Sequence, residues 1–254
     1  MKRSMIAVVG VVAVLLLAAG GASAGTIYNI EHSHSQGVGY ANISFNGGGS
    51  TSNYLGRFVM QPITPPLPSI YPLYLYHSTN DRSFYSYCLE PTVSIGVGHG
   101  VTYPFSIGSL DGTAGIDAGD ALLIRELFGR YSPLLKDNPT GPYTGGTFRT
   151  AAAALQLAIW EISLDRGTSP WNLHGGNMNV IGAAPLESGA SATADVVALA
   201  MLNSLDGTGL MALGLQGLAS TTTQDVLIQT SPEPATLVLL GLGGVGVVLP
   251  RRRR

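Results

Sequence analysis

Cys88 is the only cysteine in the 254-residue chain. With no second thiol it makes no intrachain disulfide, so it is a buried free thiol, one half of an intermolecular disulfide, or a nucleophile. As a nucleophile it needs a base. His99 follows eleven residues later in Gly96-Val97-Gly98-His99-Gly100, and His174 sits in Leu173-His174-Gly175-Gly176. Either supplies the residue type for a Cys-His hydrolase dyad, but neither stands at a diagnostic spacing. The glycine run around His99 is not a phosphate loop, because no Lys-Ser/Thr follows it. His32 and His34 lie in a Ser/Gly-rich stretch and read as solvated side chains, and Asp111, Asp117 and Asp120 lack EF-hand spacing. No metal and no cofactor is expected.

The elements that must hold Cys88 are read from periodicity. Phe84-Tyr85-Ser86-Tyr87-Cys88-Leu89-Glu90 alternates aromatic with small or polar residues, as a half-buried strand does. Thr26–Ile30, Tyr40–Phe45, Leu55–Met60, Leu73–Tyr76 and Thr223–Thr230 also read as strands, with Gly47-Gly48-Gly49-Ser50 as a loop. Gln61–Pro72 holds five prolines and is not helical. Helices are expected over Asp117–Arg130, ended by Gly129 and Pro133, and over Ala194–Leu205. The clearest helix runs from Thr150 to Leu164, capped by Thr147 or Thr150, with Leu155, Ile159 and Ile162 as its core stripe. Gln156 and Trp160 form a second i, i+4 pair one position round, and by default a helical glutamine faces solvent. The fold class expected is α+β, with strands at both ends of the domain and a helical middle.

The strand Tyr87-Cys88-Leu89-Glu90 and the helix Ala154-Leu155-Gln156-Leu157-Ala158-Ile159-Trp160 resemble the two halves of the thioester domain of bacterial surface adhesins. There a Tyr-Cys strand pairs with a helix reading apolar-Gln-x-Ala-Ile-Trp. The resemblance spans roughly Tyr76–Asp225, with these two short motifs as its specific part. It implies a thioester-domain-like fold and an autocatalytic internal bond between Cys88 and Gln156. A thiol with pKa about 8.5 supplies thiolate to attack the glutamine carbonyl and expel ammonia, once the fold holds the atoms at near-attack distance. An amine-bearing target then displaces the sulfur and is captured as an amide. That is one event per molecule, not enzymatic turnover. Tyr85, Tyr87 and Trp160 are candidates for keeping water out, and equally for plain core packing. Past Lys2 the chain has one lysine, Lys136, and so few amines of its own.

Both termini carry address signals. Lys2 and Arg3 precede an apolar core, Met5–Ala19, and Ala22-Ser23-Ala24 fits a signal-peptidase site, so residues 1–24 read as a signal peptide and Gly25 as the mature start. No cysteine follows that core for a lipoprotein anchor. At the other end Pro232-Glu233-Pro234 abuts an apolar run, Ala235–Leu249, then Pro250 and Arg251, Arg252, Arg253 and Arg254. Fifteen residues span about 22 Å, short of a ~30 Å hydrocarbon core, and the arginines hold that end in the cytoplasm. Residues 231–254 resemble the PEP-CTERM sorting signal of Gram-negative bacteria. That resemblance implies processing by an exosortase-type protease, transient inner-membrane anchoring, and a final place at the cell surface or outside the cell.

Removing Lys2, Arg3 and the terminal arginines leaves seven of 13 basic residues, and removing Glu233 leaves 14 of 15 acidic ones, a balance of −7 over Gly25–Ser231. Such a segment offers no basic patch for nucleic acid or an anionic membrane. About 200 residues suffice for one core, so 25–230 is expected to be a single extracytoplasmic domain. The expectation is therefore an adhesion or extracellular-matrix protein with a Cys88–Gln156 thioester. The alternative is a non-covalent structural or carbohydrate-binding matrix protein with a passive cysteine.

Overall fold

The computed structural model describes residues 27–64, 84–96, 101–132, 148–165, 170–182 and 192–229. The expected signal peptide (1–24), the expected sorting tail (231–254) with Pro232, Glu233, Pro234 and Arg251 to Arg254, the strand expected at Leu73–Tyr76, Lys136 and His99 lie outside the described residues.

The described chain runs β1 (Ile27–Phe45), β2 (Ser50–Thr64), β3 (Phe84–Cys88), β4 (Thr102–Ser109), α1 (Ala118–Tyr131), α2 (Phe148–Asp165), β5 (Met178–Ile181), α3 (Ala194–Asn203), β6 (Leu215–Ala219) and β7 (Val226–Gln229). It is an α+β structure. Every strand pairing is antiparallel, and the order β2-β3-β7-β6-β4-β1 closes on itself through a β1–β2 pairing, making a six-stranded barrel. Closure leaves no open edge among those six. Strand β5 attaches outside the ring, pairing Met178–Ile181 with Asn42–Phe45 of β1.

One 19-residue strand, β1, stands where two strands, Thr26–Ile30 and Tyr40–Phe45, were expected. The polar, glycine-containing stretch between them lacks apolar alternation, but it pairs with β2 almost throughout, and register shifts at three points absorb its irregularity. The β1–β2 turn is built by Asn46 and Gly47 at φ 52° and 70°, the left-handed pair that a tight hairpin demands. Gly48 N–H donates to the Phe45 carbonyl at 2.9 Å across it. Alternation holds at both ends of β1. Tyr28, Ile30, Ala41 and Ile43 are buried, whereas Tyr40 is 66% exposed and meets Tyr54 edge-on at 5.5 Å.

In α1, Asp117 caps the first turn by accepting from Asp120 N–H at 2.9 Å. The helix does not stop at Gly129. It runs on to Tyr131, and the glycine serves packing, because a Cβ there would overlap the Leu210 carbonyl. Buried Glu126, on the same helix, pairs with Arg130 and accepts from Gly207 N–H at 2.7 Å and Gly209 N–H at 3.2 Å, which pins the loop carrying Leu210.

Helix α2 starts two residues before the expected Thr150, which is buried inside the first turn and caps nothing; the other candidate cap, Thr147, lies outside the described residues. From Ala151 to Ile162 every residue is buried, because α2 touches β1, β2, β5, α1 and α3. The four alanines Ala151–Ala154 let those neighbours approach closely, and a helix covered all round needs no polar face. No helix among the described residues is long and apolar enough to cross a membrane.

Candidate functional site

Strand β3 delivers Cys88 and helix α2 delivers Gln156 and, one turn on, Trp160. All five residues of β3 are buried, so the polarity alternation that marks a half-buried strand here marks two covered faces. Tyr87 packs edge-on against Phe128 of α1 at 5.5 Å, and the Arg57 guanidinium lies 3.4 Å over the Tyr85 ring. Trp160 is 3% exposed and meets Phe45 edge-on at 6.3 Å.

Cys88 and Gln156, 68 residues apart, are in direct contact. The Cys88 backbone N–H donates to Gln156 Oε1 at 2.9 Å, and Gln156 Nε2 donates to the Cys88 carbonyl at 2.8 Å. The carboxamide thus pairs with the cysteine's main chain much as a neighbouring strand would. The same carbonyl accepts from Trp160 Nε1 at 3.1 Å. Gln156 is 1% exposed and not the solvated face residue that helical glutamines usually are. A buried carboxamide without partners would cost several kcal/mol, and both of its ends are satisfied here.

Cys88 is a free, buried thiol. Its S–H donates not to Gln156 but to Gln224 Oε1, at 2.6 Å. Gln224 is itself buried and lies in the lead-in to β7, which a dense set of bonds holds in place. Leu89 N–H donates to the Asp225 carbonyl at 2.9 Å, and Asp225 N–H donates to Glu90 Oε2 at 2.7 Å. The Asp225 carboxylate accepts from Ser220 N–H at 2.8 Å and Ala114 N–H at 3.0 Å. Burial pushes the Cys88 thiol from 9.0 up to about 12; the Trp160 and Glu90 N–H groups offset part of that rise, and the Glu90 and Asp225 carboxylates add to it. The ordinary thiolate supply expected from the sequence is therefore not available to this sulfur. Tyr87 is shifted upward as well, chiefly by burial, and its hydroxyl is buried without a hydrogen-bond partner, as is that of Ser86.

The other candidate groups stand elsewhere. His174 Nδ1 lies 2.9 Å from the Val180 carbonyl and Nε2 3.2 Å from Asp195, so its ring nitrogens are engaged away from Cys88. The backbones of His32 and His34 pair with Met60 and Val59 on β2. Asp111 interacts with Ser109, Asp117 caps α1, and Asp120 is buried in its first turn. Among the described residues no group of three or more His, Cys, Asp or Glu is placed to hold a metal ion.

Gln224 is the site residue that sequence reasoning missed. Within the expected strand Thr223–Thr230 it looks like one more polar residue, and only the β3–β7 pairing of Cys88 with Val226 carries it to the sulfur. Comparison of the chain with protein-family models, curated proteins and solved structures gives no match.

Proposed function

We propose that this is an exported surface or matrix protein whose thioester-domain-like fold joins Cys88 to Gln156 autocatalytically and then captures an amine-bearing target. The observation that carries the reading is the reciprocal pairing of the Cys88 main chain with the Gln156 carboxamide in a buried position beside Trp160. The sorting route belongs to the proposal: signal-peptide removal, exosortase-type processing at Pro232-Glu233-Pro234, and transient membrane retention by Arg251 to Arg254.

The geometry supports a sequence of steps. Attack of Sγ on the Gln156 side-chain carbon places negative charge on Oε1, where the Cys88 N–H already sits at 2.9 Å as an oxyanion donor. The C–N bond breaks and the S–C bond forms. The thiol proton leaves with the nitrogen, so that thiol plus carboxamide gives thioester plus ammonia. The Cys88 carbonyl gives up its bond to Nε2 and keeps the Trp160 indole N–H. With the thiol near pKa 12, only about one molecule in 10⁴ carries thiolate at pH 8, which slows closure but does not prevent a single event. A primary amine entering later attacks the acyl carbon, forms an amide on Gln156 and returns the thiol.

Intact mass tests this. The secreted domain is expected about 17 Da below its encoded mass, and Cys88→Ala or Gln156→Met is expected to restore that mass. Methylamine is expected to add to the wild type once and to release one titratable thiol at the same rate. A full encoded mass, with one thiol alkylated only after the protein is denatured, refutes the thioester. That result favours the second reading, a non-covalent matrix protein with a passive cysteine, for which the raised thiol and its bond to Gln224 already speak.

A further inference from the structure

We propose that Gln224 is a positioning residue that holds the Cys88 sulfur in its open, thiol form and so sets how readily the ring closes and reopens. The inference rests on the Cys88–Gln156 reading above. Gln224 Oε1 stands 2.6 Å from Cys88 Sγ and accepts its proton. A thioester sulfur has no proton to give, so after closure two atoms bearing only lone pairs would face each other at that spot. Gln224 therefore interacts favourably with the open state and unfavourably with the closed one. A group that binds one state better shifts the equilibrium toward it by its differential interaction. The segment cannot simply swing away, because its neighbour Asp225 is tied through main chain and carboxylate to Leu89, Glu90, Ala114 and Ser220. Once an amine has opened the ring, the returned thiol is held at Gln224 instead of re-attacking the new amide, which prolongs the covalent link.

Ammonia reverses closure and regenerates the encoded glutamine, so the ammonia concentration that half-opens the ring reports this equilibrium. It is read as recovery of about 17 Da together with one free thiol in the full secreted protein. Gln224→Met fills similar volume without the acceptor oxygen, and is expected to need roughly threefold to tenfold more ammonia, the worth of one buried hydrogen bond. Gln224→Glu keeps an acceptor at the same reach and is expected to return the midpoint to the wild-type value or below. A residue that only filled space would shift both variants alike. The proposal is overturned by an unchanged or lowered midpoint in Gln224→Met, or by equal increases in both variants; if Gln224→Met does not fold, Gln224→Ala takes its place. Loss of the mass deficit in Gln224→Met but not in Gln156→Met would make Gln224 the acyl partner and overturn the positioning role. Absence of any deficit in the wild type defeats the thioester reading itself, a result distinct from normal closure with unaltered midpoints.

Discussion

Raising the pH should unfold the open-thiol protein through Cys88, and the sign and size follow from its burial. The thiol titrates at 9.0 in an exposed chain and at about 12 in the fold. Between those values the folded protein keeps the proton while the unfolded chain has released it. Stability is therefore fully present below pH 9 and is lost as pH climbs toward 12. Over the one and a half units from about pH 9 to about pH 10.5, at 1.36 kcal/mol per unit, the loss through this one group is about 2 kcal/mol. Gln156→Met has no acyl carbon to donate, so Cys88 stays a thiol, and Gln156→Met with Cys88→Ala removes the titration. Tyr87, also raised, contributes equally to both and cancels. Denaturant unfolding of the two variants at about pH 8 and about pH 10.5 under reducing conditions should show the single variant losing about 2 kcal/mol more. Parallel losses within about 0.5 kcal/mol would refute the account of the buried sulfur. A ring-closed wild type has no proton on sulfur and should follow the double variant.

Two further expectations concern the frame around the site. Gly129→Ala places a methyl group on the Leu210 carbonyl, and since both the helix and the Glu126-pinned loop are held, the strain should cost about 2–4 kcal/mol, seen as a lowered thermal midpoint; a midpoint unchanged to within a degree would show that the loop yields. Glu161 is 1% exposed, and its carboxyl is raised from 4.5 to about 7, first by burial and then by Asp165 one turn on, with Asn172 N–H opposing the shift. The folded protein holds that proton while the unfolded chain has released it, so stability should fall as pH rises from about 4.5 to about 7, and Glu161→Gln should flatten that fall in thermal melts across the window.

What was legible in the chain depended on how far each signal reached. Helix α2 and strand β3 were visible because apolar spacing and aromatic alternation are local properties, and both elements lie within two residues of where periodicity puts them. Strands β4, β5 and β6 were not foreseen. Thr102–Ser109 carries a proline and a glycine, and the other two are only four or five residues long, so their existence depends on the partners that close the barrel. The site followed the same division. The strand holding Cys88 and the helix holding Gln156 could each be drawn from periodicity, but not that Gln156 faces inward, because the apolar stripe of Leu155, Ile159 and Ile162 hides that every side of the helix is covered. Gln224 was further out of reach, since no local pattern distinguishes a glutamine that meets solvent from one that meets sulfur 136 residues away. That separation is the product of register. Cys88 opposite Val226 fixes Gln224 beside the thiol, and a one-residue slip of β7 would turn its side chains over and take the acceptor away. The state of the sulfur is thus set by strand pairing as much as by the two residues proposed to form the bond.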